Sequence, residues 1–267
     1  MPSEPIVLAD LANALWRAEL ERTTVEPITD GIPTFSASDA YAVQRINVTR
    51  RLDQGSVLRG RKVGLTSRAS QAMLGVAEPT FGALMSDMFV DDDAELAISA
   101  LVQPRVEAEL AFVLSTDLSG PGVTSVTAMR SVECVIPVIE VGDSRIANWR
   151  IRVMDTIADN ASSARVVLGP GFSPLTPALD LGHLGVLFYR NGVPIESGAG
   201  AAVLGNPIRA LAWLANKLAE YDEFLRAGDV VLAGALHRMV PVRPGDEYSA
   251  EFARLGTVGV RFAGRTP

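Results

Sequence analysis

The chain has 267 residues, of which 48% are hydrophobic and 21% are charged, a composition typical of a folded globular protein and not of a disordered one. Its formal net charge of −7 argues against a nucleic-acid partner, because phosphate binding requires a concentrated basic surface. No apolar run is long enough to span a bilayer, and the single cysteine, Cys134, excludes an internal disulfide and a cysteine-based zinc cluster.

Two amphipathic helices are predicted in the N-terminal part of the chain. Residues 6–25 carry apolar side chains at helical spacing, and a second helix is predicted after the stop-and-cap region of Pro33, Ser36 and Ser38. The opening residues lack the basic-then-apolar pattern of a signal peptide, so we expect a cytoplasmic protein with no membrane partner. We therefore divide the chain into a helical portion, residues 1–58, and a β-rich portion, residues 59–267.

The first strand candidate is the segment GRKVGLTS at residues 60–67. Alternation along a strand places Arg61 and Lys62 on opposite faces, so one of the two cations should point inward. A lysine on a strand is more often a surface charge, but lysines act as acid/base groups when they are desolvated. Lys62 is therefore a candidate catalytic residue, with a solvent-exposed lysine as the alternative.

Two glutamates interrupt the apolar run QPRVEAELAFVL at residues 103–114. Because alternate residues of a strand share a face, Glu107 and Glu109 point together. A third acid, Glu140, ends a second apolar strand candidate at residues 134–140. Burying unpaired carboxylates is costly, so this pattern indicates a bound cation, and an all-oxygen set favours Mg²⁺ or Mn²⁺ over Zn²⁺. The alternative is an amphipathic sheet whose glutamate face is left to water.

The remaining segments predict an α+β fold with a mixed, mainly antiparallel sheet. The polar segment at residues 155–163 has turn and cap chemistry as its simplest interpretation. Asn191 and Gly192 between alternating segments predict a β-hairpin, and Asn206 followed by Pro207 predicts the start of a helix. Since no βαβ unit repeats, we expect peripheral helices around the sheet. Three further strand candidates follow, at residues 230–236, 248–252 and 258–262.

Seven segments, taken in order, resemble one enzyme family. They are GRKVGLTS, GVAEPTFGALMSDMF, QPRVEAELAFVL, IPVIEVGDSRI, DTIADNASS, SGAGAAVLGNP and AGDVVLAGALHRMV. Over most of the chain this order resembles the 2-hydroxypenta-2,4-dienoate hydratase (2-keto-4-pentenoate hydratase) and 4-oxalocrotonate decarboxylase family. The resemblance implies the fumarylacetoacetate-hydrolase-like fold, a twisted, mixed β-roll behind an N-terminal helical portion.

The resemblance also implies a site. Its motifs place a Mg²⁺ or Mn²⁺ ion on Glu107, Glu109 and Glu140, and they place the family's motif lysine at Lys62. We expect the substrate pocket to be lined by residues of these motifs and by nearby apolar residues: Leu65, Ser162, Leu84, Met88 and Met239.

The implied activity is that of a hydro-lyase. It is the metal-dependent hydration of 2-hydroxypenta-2,4-dienoate (2-oxopent-4-enoate) to 4-hydroxy-2-oxopentanoate, in the meta-cleavage degradation of aromatic compounds or steroids. The expected partners are this small 2-hydroxy-dienoate substrate and further copies of the chain in a homo-oligomer. A complex with other enzymes of the pathway is a further partner to test.

Two departures from the family pattern bear on the substrate. Thr80 stands where many hydratases of the family carry an acid, so no proton-transfer role is carried over to this position, although Glu78 and Asp87 lie nearby in sequence. His237 and Arg238 stand where similar hydratases tend to have small or uncharged residues. We expect Arg238 to turn outward or to pair with an acid.

Two alternatives remain open at this point. The first is decarboxylation of 4-oxalocrotonate-type 2-oxo-enedioates, because Arg238 could hold a second carboxylate. The ending GALHRM resembles the hydratase type more closely. The second is a non-catalytic partner subunit of a homologous enzyme, against which the three glutamates and Lys62 argue, since a scaffold has no need of buried metal ligands.

Overall fold

The computed structural model describes residues 7–176 and 178–264. The helices of this part are α1 (Leu8–Glu21), α2 (Ile28–Gly31), α3 (Ala37–Asp53), α4 (Arg68–Leu74), α5 (Ser125–Arg130), α6 (Val153–Ala158) and α7 (Pro207–Ala219). The strands are β1 (Leu58–Gly64), β2 (Thr80–Met85), β3 (Phe89–Asp91), β4 (Ala94–Ala97), β5 (Pro104–Leu114), β6 (Val132–Asp143), β7 (Ser163–Leu168), β8 (Ser173–Pro174), β9 (Gly185–Arg190), β10 (Val193–Ala199), β11 (Val230–Ala235), β12 (Val240–Pro241), β13 (Glu247–Phe252) and β14 (Gly256–Ala263).

The strands form two sheets. The larger sheet has the order β2-β1-β11-β5-β6-β7-β3, with β12 paired to β5 and β8 paired to β6. Its pairs are antiparallel except β1 with β11 and β3 with β7. The smaller sheet has the order β10-β9-β13-β14-β4, and only β14 with β4 is parallel within it. The predicted mixed, mainly antiparallel architecture is therefore confirmed.

The larger sheet curls into a roll. Three strand-to-strand steps separate β1 from β6, which in a flat sheet would place their backbones about 14 Å apart. Side chains stand roughly perpendicular to a sheet, yet Nζ of Lys62 on β1 lies 3.0 Å from Oε2 of Glu140 on β6. The sheet must curve for these two side chains to meet, and they lie on its concave face.

Two glycines allow the central strand β11 to fit into this sheet. A Cβ at Gly60 would lie 1.8 Å from the carbonyl oxygen of Val230, so only glycine permits this close approach of β1 to β11. The register of β11 against β5 shifts between Leu232 and Ala235, and Gly234 within this bulge has φ +114°. The bulge points the Gly234 N–H toward the concave face.

The N-terminal helices pack on the sheet domain. α1 packs on α3, and α3 packs on α6 and β2. Ser36 and Asp39 form a reciprocal capping box at the start of α3. The buried residues Ala12 and Tyr41 of these helices belong to the same apolar core as residues of both sheets. The predicted division at residue 58 remains a prediction, and its outer limits, residues 1 and 267, lie outside the described residues.

The other predicted elements compare well with the observed ones. The first predicted helix, residues 6–25, is confirmed as α1, which ends earlier, at Glu21. Ile6 lies outside the described residues, as does most of the segment used to argue against a signal peptide. Asn206 caps α7 and Pro207 occupies its first turn. β9 and β10 form the predicted hairpin around Asn191 and Gly192. Within the described residues, no helix has both the length and the apolar character that crossing a membrane requires.

Candidate metal centre and substrate cavity

A cavity of about 790 Å³ opens at one end of the concave face. This volume suits a small organic ligand. Its wall includes Lys62 from β1, two glutamates from β5, and the start of α4. The segment that follows β11 and the loops at residues 148–151 and 161–162 complete it. The cavity therefore gathers residues from distant parts of the chain around one polar centre.

Three glutamates form that polar centre. Glu107 and Glu140 are directly opposed across the antiparallel β5–β6 pair. Glu109 follows Glu107 on the same face of β5, as alternation predicts. Their exposed fractions are 6%, 0% and 0% for Glu107, Glu109 and Glu140. One carboxylate oxygen from each lies within 4.8 Å of the others, so the alternative of a solvated sheet face is wrong.

The triad has unsatisfied carboxylate oxygens. Within the described residues, Oε1 of Glu109 and Oε1 of Glu140 have no hydrogen-bond partner. Oε2 of Glu109 accepts a hydrogen bond of 2.9 Å from the Gly234 N–H in the β11 bulge. Burial, and then the charge of Glu140, raise the pKa of Glu107 to about 8, and the same two causes raise the pKa of Glu109 well above its ordinary value.

Buried acceptors of this kind fit a divalent cation. A bound cation removes both the mutual repulsion and the unpaired oxygens, which otherwise cost free energy. All three donors are carboxylate oxygens, the hard ligands that Mg²⁺ and Mn²⁺ accept. The site has the ligand chemistry of a divalent-metal centre.

Lys62 is the cation nearest to this triad. It is 4% exposed, its Nζ forms the ion pair with Glu140, and it donates a hydrogen bond of 3.3 Å to the carbonyl oxygen of Ala161. Burial alone would lower the pKa of Lys62, but the charges of Glu140, Glu107 and Glu109 raise it above its ordinary value. Lys62 is therefore an ammonium group, and its alternative as a surface lysine is wrong.

The loop that receives Lys62 has an unusual backbone. Asn160, Ala161 and Ser162 all have positive φ, between +51° and +56°, a conformation that is strained for residues other than glycine. The Asn160 side chain holds this loop on β2, because its Oδ1 accepts from the Ala83 N–H at 2.7 Å and its Nδ2 donates to the Ala83 carbonyl at 2.9 Å. The loop fixes the position of the Ala161 carbonyl.

His237 lies in the cavity wall as a neutral structural residue. Its Nε2 accepts a hydrogen bond of 2.9 Å from the N–H of Ala108, the residue between the two β5 glutamates. Its Nδ1 therefore carries the proton and donates to the Arg238 carbonyl at 2.8 Å. Burial lowers the pKa of His237, which favours this neutral form. Both ring nitrogens are engaged, so His237 orients the β5 backbone.

The structure brings only some of the expected pocket residues to the cavity. Leu65, Ser162 and Met239 line it. Leu84 and Met88 do not, which corrects the prediction for these two residues. They lie in a buried apolar cluster with residues of β5, β6 and β11, where they fill the interior of the roll beyond the glutamates.

The structure also locates the polar residues whose role in the pocket the sequence left open. Thr80 is buried and lines the cavity. Glu78 pairs with Lys217 at 3.4 Å, and Asp87 pairs with Arg51 at 3.1 Å, both outside the cavity, so neither acid replaces the one that Thr80 lacks. Arg238 is 82% exposed and pairs with Glu196 at 2.5 Å, which confirms the expectation that it turns outward or pairs with an acid.

Among the residues of the cavity wall that the sequence did not predict are Arg105 and Trp149. The guanidinium carbon of Arg105 lies 4.5 Å from the centre of the Trp149 ring, a cation–π contact. Alternation on β5 places Arg105 on the same face as Glu107 and Glu109, so the signal was present in the sequence. No comparable signal marked Trp149, because it lies on an irregular loop.

A β-roll with a buried carboxylate triad and a lysine defines a class of metal-site enzymes, and comparison with known proteins identifies the family. A family model described as fumarylacetoacetate (FAA) hydrolase C-terminal matches residues 58–263. The chain belongs to this family.

Individual relatives are similar over nearly their whole length. The chain is 43% identical to 2-keto-4-pentenoate hydratase of Paraburkholderia xenovorans, covering 95% of this chain and 94% of that protein. It is 42% identical to 2-oxo-hept-4-ene-1,7-dioate hydratase of Escherichia coli, covering 94% and 96%. Among solved structures, 4-oxalocrotonate decarboxylase from Pseudomonas putida G7, complexed with magnesium and adipate, has a TM-score of 0.93 at 38% identity, covering 96% and 97%.

Proposed function

We propose that the chain is a metal-dependent hydro-lyase that hydrates 2-hydroxypenta-2,4-dienoate to 4-hydroxy-2-oxopentanoate. The observation that carries this proposal is the buried triad of Glu107, Glu109 and Glu140 beside Lys62, at the wall of a cavity of ligand size. The similarity to two hydratases supports the reaction type. The corresponding place in metabolism is the meta-cleavage degradation of aromatic compounds or steroids.

The three glutamates would hold Mg²⁺ or Mn²⁺. A divalent ion in that position supplies Lewis-acid stabilisation of negative charge on a substrate oxygen. The decarboxylase of similar structure was solved with magnesium, which supports Mg²⁺ as the first ion to test. The cluster supplies no cysteine or histidine ligand, so Zn²⁺ is disfavoured.

Lys62 is the proton donor and acceptor of the proposed reaction. The reaction first moves the enol proton of the dienoate to C5, which gives a conjugated enone, and then adds the hydroxyl of water to C4 and a proton to C3. Lys62 is a buried ammonium held by Glu140 and by the Ala161 carbonyl. When water adds at C4 and the C2 oxygen becomes an enolate, the Lys62 Nζ can donate a proton to that oxygen, and the resulting amine can take the proton back when C3 is protonated and the ketone forms again.

The wall of the cavity positions the rest of the substrate. Leu65 and Met239 offer apolar contacts. Ser162 offers a hydroxyl from the same loop whose Ala161 carbonyl accepts the hydrogen bond of Lys62. Thr80 and neutral His237 carry no charge into the pocket, so the reaction does not rely on a carboxylic acid at residue 80. The paired Arg238 leaves the tail of a five-carbon dienoate free of a charged partner at that side.

A substrate panel tests the proposal. The purified chain with added Mg²⁺ is given five-carbon and six-carbon 2-hydroxydienoates and, separately, a 2-oxo-enedioate. We expect loss of dienol absorbance and formation of the 4-hydroxy-2-oxo acid, identified by mass spectrometry. Release of CO₂ from the enedioate without hydration of the dienoates would assign decarboxylation instead. No turnover of any member would support the non-catalytic subunit.

A further inference from the structure

Arg105 extends the polar face of β5 beyond the glutamates. Arg105, Glu107 and Glu109 are successive residues on one face of the strand, and all three line the cavity. Residues two apart on a strand lie about 7 Å apart, and an arginine side chain is about as long. The guanidinium therefore lies within reach of a small ligand at the glutamate triad.

Arg105 differs from the other cations of the cavity in its lack of a partner. Lys62 pairs with Glu140 and Arg238 pairs with Glu196. Within residues 7–176 and 178–264, the Arg105 guanidinium has no ion pair or side-chain hydrogen bond, and its cation–π contact is with the Trp149 ring. A half-buried guanidinium in this state has unused hydrogen-bond donors.

Trp149 fixes the direction in which those donors point. The indole Nε1 donates a hydrogen bond of 2.9 Å to the carbonyl oxygen of Gln103, two residues before Arg105 on the same chain segment. The tryptophan ring is thereby held against β5, and the guanidinium lies over it. Stacking covers one face of the guanidinium and leaves its N–H edge available for a planar acceptor.

The balance of charge in the cavity points to an anionic ligand. The three glutamates would be matched by Lys62 together with the divalent ion proposed for the triad, and Arg238 is matched by Glu196. Arg105 is then the one unmatched charge among the described residues that line the cavity. A carboxylate presents two coplanar oxygens, the geometry that a guanidinium edge binds in a bidentate manner.

We propose that Arg105 binds a carboxylate of the ligand and so determines which acids the cavity accepts. The inference rests on the proposed function only in taking the ligand to be an organic acid. The carboxylate is either the one next to the reacting oxygen or a second one at the far end of the chain. The two sources have different consequences: the first makes Arg105 a general requirement, and the second makes it a selector for dioates.

Binding of inert acids separates these two sources without turnover. The probes are adipate, a six-carbon dicarboxylate, and hexanoate, a monocarboxylate of equal length, each titrated by calorimetry into the Mg²⁺-loaded protein. The variants are Arg105→Met, Arg105→Lys and Arg238→Met. Arg243→Met serves as the control for net charge, because Arg243 is exposed and lies outside the cavity wall.

We expect Arg105→Met to raise the Kd for adipate by about 10- to 100-fold, the usual effect of losing hydrogen bonds to a charged group. Arg105→Lys should recover only part of the affinity, because a lysine cannot form the bidentate pair. Arg238→Met and Arg243→Met should change the Kd by less than about threefold, as expected for exposed charges. An equal loss for hexanoate would assign the carboxylate next to the reacting centre, and a loss for adipate alone would assign the distal one.

Two results would overturn the proposal. One is an adipate affinity that Arg105→Met leaves unchanged, and the other is a native protein that binds neither probe. Failure of the hydratase assignment would look different, because the protein would then bind adipate through Arg105 and still not hydrate any dienoate.

Discussion

At the scale of single residues, Glu109 gives the most specific prediction. We expect Glu109→Gln to remove the metal and the activity while the protein stays folded, because the substitution also relieves carboxylate repulsion in the buried triad. Metal content by atomic emission and turnover of 2-hydroxypenta-2,4-dienoate measure the two losses, and circular dichroism checks the fold. Normal metal content together with normal turnover would show that the triad is not the metal site.

Lys62 should affect the chemistry and not the metal. We expect Lys62→Met to lower kcat by about two to four orders of magnitude, the usual range for a general acid/base, with Mg²⁺ still bound. The isotherm for Mg²⁺ is the control, since loss of metal along with the rate would indicate damage to the triad. An unchanged kcat would remove Lys62 from the mechanism.

The raised pKa of Glu107 predicts how the stability of the metal-free protein depends on pH. A carboxyl whose pKa is higher in the folded than in the unfolded chain binds more protons when folded, so stability falls as pH rises toward the folded pKa of about 8. The lowered pKa of His237 acts in the opposite sense, but only below its ordinary value of about 6.5. The decrease should therefore be visible between about pH 6.5 and 8.

Thermal unfolding in the presence of a chelator measures this effect. The Tm of the native chain should fall across that window, and the profile of Glu107→Gln should be flatter. Added Mg²⁺ should raise Tm more at pH 8 than at pH 6.5, because metal binding requires the deprotonated carboxylates. A native Tm that rises with pH in the chelated protein would contradict the raised pKa.

At the scale of structural elements, the β11 bulge links the backbone to the triad. Gly234 has φ +114°, and a Cβ there would lie 2.2 Å from Oγ1 of Thr66. We expect Gly234→Ala to displace the backbone N–H that donates a hydrogen bond to Glu109, and to lower Tm. The Mg²⁺ affinity should fall by about tenfold or more, a typical effect of losing a hydrogen bond to a metal ligand.

Gly228→Ala is the matched control for Gly234→Ala. Gly228 has φ +86°, but a Cβ at that position meets nothing within 4 Å. Its substitution carries only the conformational cost of a left-handed alanine, about 1 kcal/mol, and it should leave Mg²⁺ affinity unchanged. Equal losses of Mg²⁺ affinity in both variants would show that the bulge does not act through Glu109.

The elements also show what sequence patterns can and cannot predict. Strand alternation was enough to place Glu107 and Glu109 together, and cap chemistry was enough to locate the starts of α3 and α7. The sequence of the loop at residues 160–162 predicts turn chemistry, and nothing local indicates three consecutive left-handed residues, because Asn160 holds them through β2, which lies far away in sequence. Leu84 and Met88 were misplaced because their neighbours are set by the curvature of the sheet and not by their own strand.

At the scale of the whole molecule, the remaining expectation is self-association. Large apolar side chains in separate parts of the chain are exposed, including Met73 at 77%, Phe172 at 72% and Val193 at 60%. Burying such residues between subunits is favourable, and most oligomers are symmetric assemblies of one chain. We expect light scattering at micromolar concentration to give a mass of at least two chains. A mass of 28.4 kDa, that of a single chain, would contradict this prediction.

The insertion of β11 between β1 and β5 has a consequence for biosynthesis. Ribosomes deliver the N-terminal part first, so β5, β6 and β7, with all three glutamates, can pair while β11 is still being translated. Until then β1 and β5 each present an open edge, which is a hazard for aggregation. The charge of Lys62 can reach Glu140 only when the late strand has closed the roll. In a nascent chain the three carboxylates can therefore come together before their lysine partner is in place, and until β11 is added they are left to water or to a cation from solution.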